Sequence, residues 1–395
     1  MRALVVTKFL PLPADAGGRQ RSLAILRRIA ERAEVTLCAY DDGRADKAGL
    51  EAMGVRVRSL PWKPAPRSVA AGLLHGRSVS AGRFWSPAMR RTVRQVAAEG
   101  PLDLLQTEYI QLAPLVDGVR ADVRVLDLHN VESALARSYA RSRGIVAGTP
   151  YRAEALALER LEKRALKRFD KVLVVSDVER DRLGRSGRDA LVCPNGWEPT
   201  EPLPLPAAPV AVFVAVLGWP PNSDAARWLL DSVWPKVLGV LPDARLMLVG
   251  KNPPPDLAGR SLPGVEVVGA VPDVRPYLAS ARVALAPLLA GGGTRLKILE
   301  ALDAGRPIVA TTVAAEGLSD LVGSGVVLAD EAESFASETV ALLRPSDRSG
   351  DLAGDLGRAG NTAVRERHGW DRSLAPLVSV VEDLSGRRPS HPGPA

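Results

Sequence analysis

The stretch RVALAPLLAGGGTRLKILEALDAGRPIVATT, residues 282–312, decides the fold. It opens on a short apolar run (282–287), turns through Gly291, Gly292 and Gly293, continues in a helical pattern, and ends on a second apolar run (307–312). Strand, glycine turn, helix and strand in that order make a βαβ unit. Its strands are buried on both faces and read as unbroken apolar runs. The pattern repeats outward in both directions. VAVFVAVL (210–217), ARLMLVG (244–250) and VEVVGA (265–270) lie upstream, and GVVLA (325–329) lies downstream. An earlier series comprises ALVVT (3–7), EVTLCAY (34–40), VRVRSL (55–60), DLLQTE (103–108), VRVLDLH (123–129), KVLVVS (171–176) and ALVCP (190–194). Two such series separated by helical stretches imply an α/β protein with two doubly wound, Rossmann-like domains.

A chain of 395 residues is too long for one ordinary core and suits two. The series break at CPNGWEPTEPLPLPAAP (193–209), where prolines and turn residues make a stiff linker. The expected division is a domain over 1–195, a linker over 196–209 and a second domain over 210–369. WDRSLAPLVSVVEDL (370–384) reads as an amphipathic helix, and the tail 387–395 is expected to be disordered.

Composition narrows the class. The chain is 46% hydrophobic and 25% charged, as soluble globular proteins are. Its two cysteines, Cys38 and Cys193, sit in apolar strand-like runs, which argues against a disulfide framework or zinc site. The four histidines (His75, His129, His368, His391) lack metal-ligand spacing, so no metal is expected. The opening MRALVVTKFLPLP reads as a first strand, too short for a signal peptide, and no apolar stretch approaches a membrane span. A cytoplasmic location is expected. The net charge of +7 suits a phosphorylated substrate, anionic lipid or nucleic acid. Nucleic acid is the weakest of these readings, because no aromatic-plus-basic motif of the nucleic-acid modules occurs. The basic stretch 151–168 is open to peripheral contact with an anionic membrane at its inner face. Its ERLEKR segment supplies its own ion pairs, which favours a solvated face.

In doubly wound sheets ligands lie beyond the carboxyl ends of the strands. In the segment quoted first, Gly291, Gly292 and Gly293 let the backbone approach a ligand, and the free N–H groups of the following helix favour an anion. Arg295 and Lys297 lie at that helix start, where cations oppose the helix dipole unless an anion compensates. Glu300 follows on the same helix, placed to accept from hydroxyls. The plain alternative is a glycine turn followed by a solvated charged helix. Gly17 and Gly18 open a helix after the first strand, with Arg19 and Arg21 behind them, but they do not form a dinucleotide fingerprint. His129 ends VRVLDLHN near the same edge.

The segment GGGTRLKILEALDAGRPIVATTVAAEGL resembles the donor-binding motif of family 4-type retaining glycosyltransferases with the GT-B fold. VLGWPPNSDAARWLLDSVWPKVLGVLPDARLMLVGK resembles the first βα unit of that family's C-terminal domain. VLDLHNVES, FDKVLVVSDVERDRL and CPNGW resemble its N-terminal half and hinge. The resemblance implies a nucleotide-diphosphate sugar as co-substrate, held in an interdomain cleft mainly by the C-terminal domain. It also implies a last helix (370–386) that crosses back to the N-terminal domain. Arg295 and Lys297 would neutralise the diphosphate, with the amides of 291–294, including Gly292, Gly293 and Thr294, bonding its oxygens. Glu300 matches the second glutamate of the family's E-x7-E pattern, which holds the ribose hydroxyls. Gly17 and Gly18 match glycines that approach the donor phosphates, His129 a histidine near the transferred sugar, and Gly218 and Asn222 positions bordering the donor. The first glutamate of the pattern falls at Gly292, so a sugar contact is missing, and Glu316 is a substitute for it.

Charge develops on the leaving diphosphate, and preorganised cations lower that barrier. The reading is therefore glycosyl transfer to a hydroxyl acceptor, with retention as the resemblance implies and without metal. Two alternatives stand beside it. One is a GT-B epimerase or hydrolase using Glu108, Asp127 or Glu316; the other is a non-catalytic partner of another glycosyltransferase. Trp62, Phe84, Trp85 and Arg90, from the basic and aromatic segment 60–91, and Glu108 are candidates for the acceptor side.

Overall fold

A computed structural model describes residues 1–63, 78–345 and 350–386. The tail 387–395, residues 64–77 of the insert, and with them His75 and His391, lie outside the described residues. The chain forms two compact units, Met1–Pro194 with the chain from Leu374 onward, and Asn195–Ser373.

The first unit holds a seven-stranded sheet of β1 (Arg2–Phe9), β2 (Glu34–Asp41), β3 (Arg56–Pro61), β4 (Leu104–Glu108), β5 (Val123–Leu128), β6 (Lys171–Val174) and β7 (Leu191–Val192). Their spatial order is β3-β2-β1-β4-β5-β6-β7, and every pairing is parallel. The second unit holds β8 (Val210–Val214), β9 (Arg245–Val249), β10 (Val265–Gly269), β11 (Val283–Ala286), β12 (Ile308–Ala310) and β13 (Val326–Leu328). These run in the order β10-β9-β8-β11-β12-β13, again all parallel. Each of the thirteen strand-like runs in the sequence is a strand, because buried parallel pairing rewards apolar residues on both faces.

In each sheet the order reverses once, between β1 and β4 and between β8 and β11. Loops leaving adjacent strands in opposite directions open a crevice there, where ligands bind in this architecture. Side-chain alternation prepares the crevice of the first unit. Leu4, Val6, Leu105, Leu126 and Leu128 enter one apolar core, so Thr7, Gln106, Glu108 and Asp127 turn to the opposite face. There they meet Arg21 and Ser22 of the helix Gly17–Ala30.

Two details differ from the sequence expectation. The single helix expected over 370–384 is broken into Trp370–Ser373 and Ala375–Gly386. Pro376 has no N–H to donate to the Arg372 carbonyl and its ring crowds that carbonyl, so the first helix cannot run through. The linker prolines are held within the second unit: Arg306 donates to the Leu203 and Pro204 carbonyls, and Arg282 to that of Pro206. Among the described residues no helix is long and apolar enough to cross a membrane.

Candidate donor and acceptor sites

In the second unit the loop after β8 carries Gly218 and leads to the helix Pro220–Trp228, while the loop after β11 carries Gly291 to Thr294. Arg295 is the N-cap of the helix Leu296–Asp303, one position before the first turn in which the sequence placed it. Its guanidinium turns back to donate to the Gly292 carbonyl, and a Cβ at Gly291 would collide with it. Gly293 has φ 73°, a conformation that favours glycine. The loop is therefore shaped around the arginine, and Thr294 is fixed through its carbonyl by the Asn195 amide at 3.1 Å.

Lys297 joins the two helices that follow the switch-point loops. Its Nζ lies 3.1 Å from Asn222 Oδ1, and the Asn222 amide donates to the Val216 carbonyl at 2.9 Å. The ammonium lies 5.0 Å from the centroid of the Phe213 ring. Burial pushes it down to about 7, with Arg295 adding to the effect and Glu300 opposing it. Glu300, one turn on, is raised to about 7 by burial, by Asp273 and by Asp303. Both side chains border a small cavity walled by Val214, Leu285 and Ile308, which accounts for the poor solvation. The Glu300 carboxylate makes no hydrogen bond to any described residue. Glu316 lies beyond β12, the strand beside β11, and is partly buried.

Gly218 has a packing reason for its identity. A Cβ there would stand 2.8 Å from both Cβ and O of Asn252, which is itself left-handed at φ 55°.

In the first unit His129 sits just past β5. Its Nε2 lies 3.2 Å from Asp127 Oδ2 and 3.3 Å from Glu108 Oε2. Asp127 is gripped by Arg21 through two bonds, Nε to Oδ2 at 2.8 Å and an Nη to Oδ1 at 2.6 Å, with the pair 1% and 0% exposed. Burial works to raise the Asp127 carboxyl, but the Arg21 guanidinium overrides it and holds it below the usual carboxylate range. Glu108 accepts from Thr7 Oγ1 at 3.1 Å and from Ser22 Oγ, and it is fully buried. Tyr109 stacks on the imidazole with ring centroids 3.7 Å apart. Its φ of 68° is unusual for a bulky residue and is fixed by the stack and by its amide bond to Asp127 O at 2.9 Å. A Cβ on Gly18 would collide with the Tyr109 hydroxyl and stand 3.9 Å from His129 Nδ1. Gly18 thus lets the helix start close against this histidine. Gly17 is the first residue of that helix, and Arg19 pairs with Asp42 at 2.6 Å.

Two residues that the motifs did not single out belong to this edge. One is Tyr109. The other is Lys8, whose ammonium lies 4.0 Å from the Tyr109 ring centroid and 5.0 Å from that of Phe84. Burial lowers the Lys8 ammonium below its usual value, with Glu132 opposing and Arg83 assisting. Their signal was position, since Lys8 is the next-to-last residue of β1 and Tyr109 directly follows β4. Of the acceptor-side candidates, Trp62 stacks on Phe84 at 4.7 Å within a cluster that includes Phe9 and Tyr40. The Arg90 guanidinium lies 5.4 Å over Trp85. Among the described residues no group of three His, Cys, Asp or Glu side chains is placed to hold a metal ion.

Paired parallel sheets, each reversing order once, with a glycine-lined cationic loop at one reversal, define the GT-B class of glycosyltransferase fold. Residues 16–196 match the Glycosyl transferase 4-like domain and residues 208–345 match Glycosyl transferases group 1, so the chain belongs to the family 4-like glycosyltransferases. It is 25% identical over 332 residues, 80% of each chain, to a phosphatidyl-myo-inositol mannosyltransferase of Mycolicibacterium smegmatis. Its fold matches sucrose-phosphate synthase from Thermosynechococcus elongatus with TM-score 0.69 at 16% identity, covering 98% of this chain and 100% of that one. Anabaena HepE, solved in complex with UDP and glucose, matches with TM-score 0.67 at 15% identity, over 97% and 99% of the two chains.

Proposed function

We propose that this protein transfers a sugar from a nucleoside-diphosphate donor to a hydroxyl acceptor with retention, and that the loops after β8 and β11 hold the donor. The observation that carries this reading is Lys297, an under-solvated ammonium joining the helix starts that follow β8 and β11, beside the Glu300 carboxylate, which has no hydrogen-bond partner among the described residues. A diphosphate supplies the countercharge that Lys297 lacks, and ribose hydroxyls supply donors to Glu300. The amides of Gly292 to Thr294 then bond phosphate oxygens, and Arg295 and Lys297 meet the charge that develops on the leaving group without a metal. UDP in the HepE complex supports a nucleotide donor. A thermal-shift screen of UDP, GDP, ADP and dTDP sugars tests the reading: one family of nucleotides should raise the melting temperature, and none doing so counts against it.

In this reading His129 serves the transferred sugar. Its Nε2 lies against the Asp127 and Glu108 carboxylates, which fix the orientation of the imidazole at the end of β5. His129→Ala is expected to lower kcat about tenfold while donor KM stays within about twofold, the scale of one lost hydrogen bond. An unchanged kcat would return the histidine to a purely structural role. Glu108 and Asp127, fully buried and engaged, position the imidazole, which weakens an epimerase or hydrolase reading that needs accessible carboxylates.

Free Lys297 loses its proton near pH 7, whereas a bound diphosphate favours the ammonium. Nucleotide binding at pH 8 should therefore take up a proton, and affinity should weaken as the pH rises through and above 7. Calorimetry in buffers of different ionisation enthalpy reads the uptake, which should vanish in Lys297→Met. Uptake that persists in the variant would assign the proton elsewhere.

A further inference from the structure

The helical hairpin after β5 keeps one of the ion pairs expected within its ERLEKR segment, Glu159–Lys163, but its remaining cations are not neutralised by the helix's own acids. It consists of the helices Glu132–Ser142 and Thr149–Ala165, joined through the short turn Gly144–Ala147. The three acidic residues of the second helix face the protein. Glu154 accepts from Ser78 Oγ and from the amides of Val79 and Ser80. Glu159 pairs with Arg137, as well as with Lys163 at 2.7 Å. Glu162 is buried and accepts from the Ser133 amide at 2.9 Å and hydroxyl at 2.6 Å. The outer face is left with Arg152, Leu156, Arg160, Arg164 and Lys167, all exposed.

The tip strengthens this asymmetry. Ile145 and Val146 are 81% and 87% exposed, the highest values among the large exposed aliphatic side chains. Exposed Arg141, Arg143 and Arg152 surround them, and no Asp or Glu occurs between Glu132 and Glu154. The first helix leaves the carboxyl end of β5, where His129 stands, while the second returns to the opposite end, where the Asp170 amide bonds Arg124 O at 2.9 Å. The first helix is eleven residues, about 16 Å, long and starts from the strand end at which His129 stands.

We propose that this hairpin docks the protein on an anionic lipid bilayer, with Ile145 and Val146 entering the acyl boundary and the arginines meeting lipid phosphates. Consecutive exposed aliphatics ringed by cations, without an intervening acid, match the two complementary features of such a surface, an apolar interior and an anionic rim. A partner protein would be expected to present carboxylates around a preformed apolar pocket. A bilayer needs only the apolar tip and the surrounding positive charge.

The test needs no sugar donor, so its failure is separable from failure of the transferase reading. The full chain is sedimented with vesicles of phosphatidylglycerol and phosphatidylcholine in equal parts, and with phosphatidylcholine alone. Binding should favour the anionic vesicles and weaken with salt. The double variant Ile145→Ser/Val146→Ser and the pair Arg141→Glu/Arg152→Glu should each lower partitioning by about tenfold or more. Both change exposed residues, and unaltered thermal unfolding verifies folding. No sedimentation, equal binding to both vesicle types, or unchanged binding in the folded variants would overturn the proposal. A concentration-dependent dimer abolished by the aliphatic double variant would instead assign the tip to a second copy of the chain.

Discussion

Lys297→Met and Arg295→Ala are each expected to lower donor turnover by about 10²–10³, the scale set by removing one preorganised donor to a developing oxyanion. Methionine keeps the apolar stem of Lys297 against Phe213 and removes only the charge and its bond to Asn222, so the loss reads electrostatics rather than collapse. Arg295 has a second duty, because its guanidinium holds the Gly292 carbonyl. Arg295→Lys separates the two roles. A loop-shaping role alone leaves that variant as impaired as alanine, whereas a charge role restores part of the rate. Near-normal turnover in both Lys297→Met and Arg295→Ala would remove this loop from the chemistry. The nucleotide released with time measures all of these variants.

The largest stability effect should come from Arg21→Ala. The substitution leaves Asp127 without its countercharge at a fully buried position and takes donors from the carbonyls of Cys193 and Pro194. Breaking a buried pair from one side costs about 3–5 kcal/mol. Arg21→Met/Asp127→Leu removes both charges and should recover much of the loss, since the penalty lies in the stranded carboxylate. Denaturant midpoints of the three proteins measure this. A midpoint in Arg21→Ala equal to that of the parent would contradict it, and so would a double variant no better than the single.

The two sheets were legible because parallel strands covered on both faces carry unmistakable apolar runs, even ones as short as Leu191–Val192. Strand order was not, because runs of equal hydropathy do not reveal their neighbours, and the switch points follow from order. Tyr109 therefore escaped notice although it directly follows a switch-point strand, β4. The Arg21–Asp127 grip spans 106 residues of chain and leaves no local signal. Position after a strand placed His129 and the Gly291–Lys297 loop at their edges. It did not reveal that Glu108 is buried behind the histidine, because that contact depends on β4 lying beside β5, with Glu108 paired to Asp127. Gly218 shows the reverse limit: its bare backbone accommodates Asn252, a contact that depends on how the loop after β9 folds.

On the proposed function, the loops after β8 and β11 bind a nucleoside diphosphate through Lys297 and Arg295. Calorimetric titration of UDP, GDP, ADP and dTDP into the protein in the presence of EDTA tests it most directly, with Lys297→Met alongside. At least one nucleotide should bind the parent protein, and its affinity should fall about 100-fold in the variant. Binding that requires added Mg²⁺, or equal affinity in the variant, would contradict it.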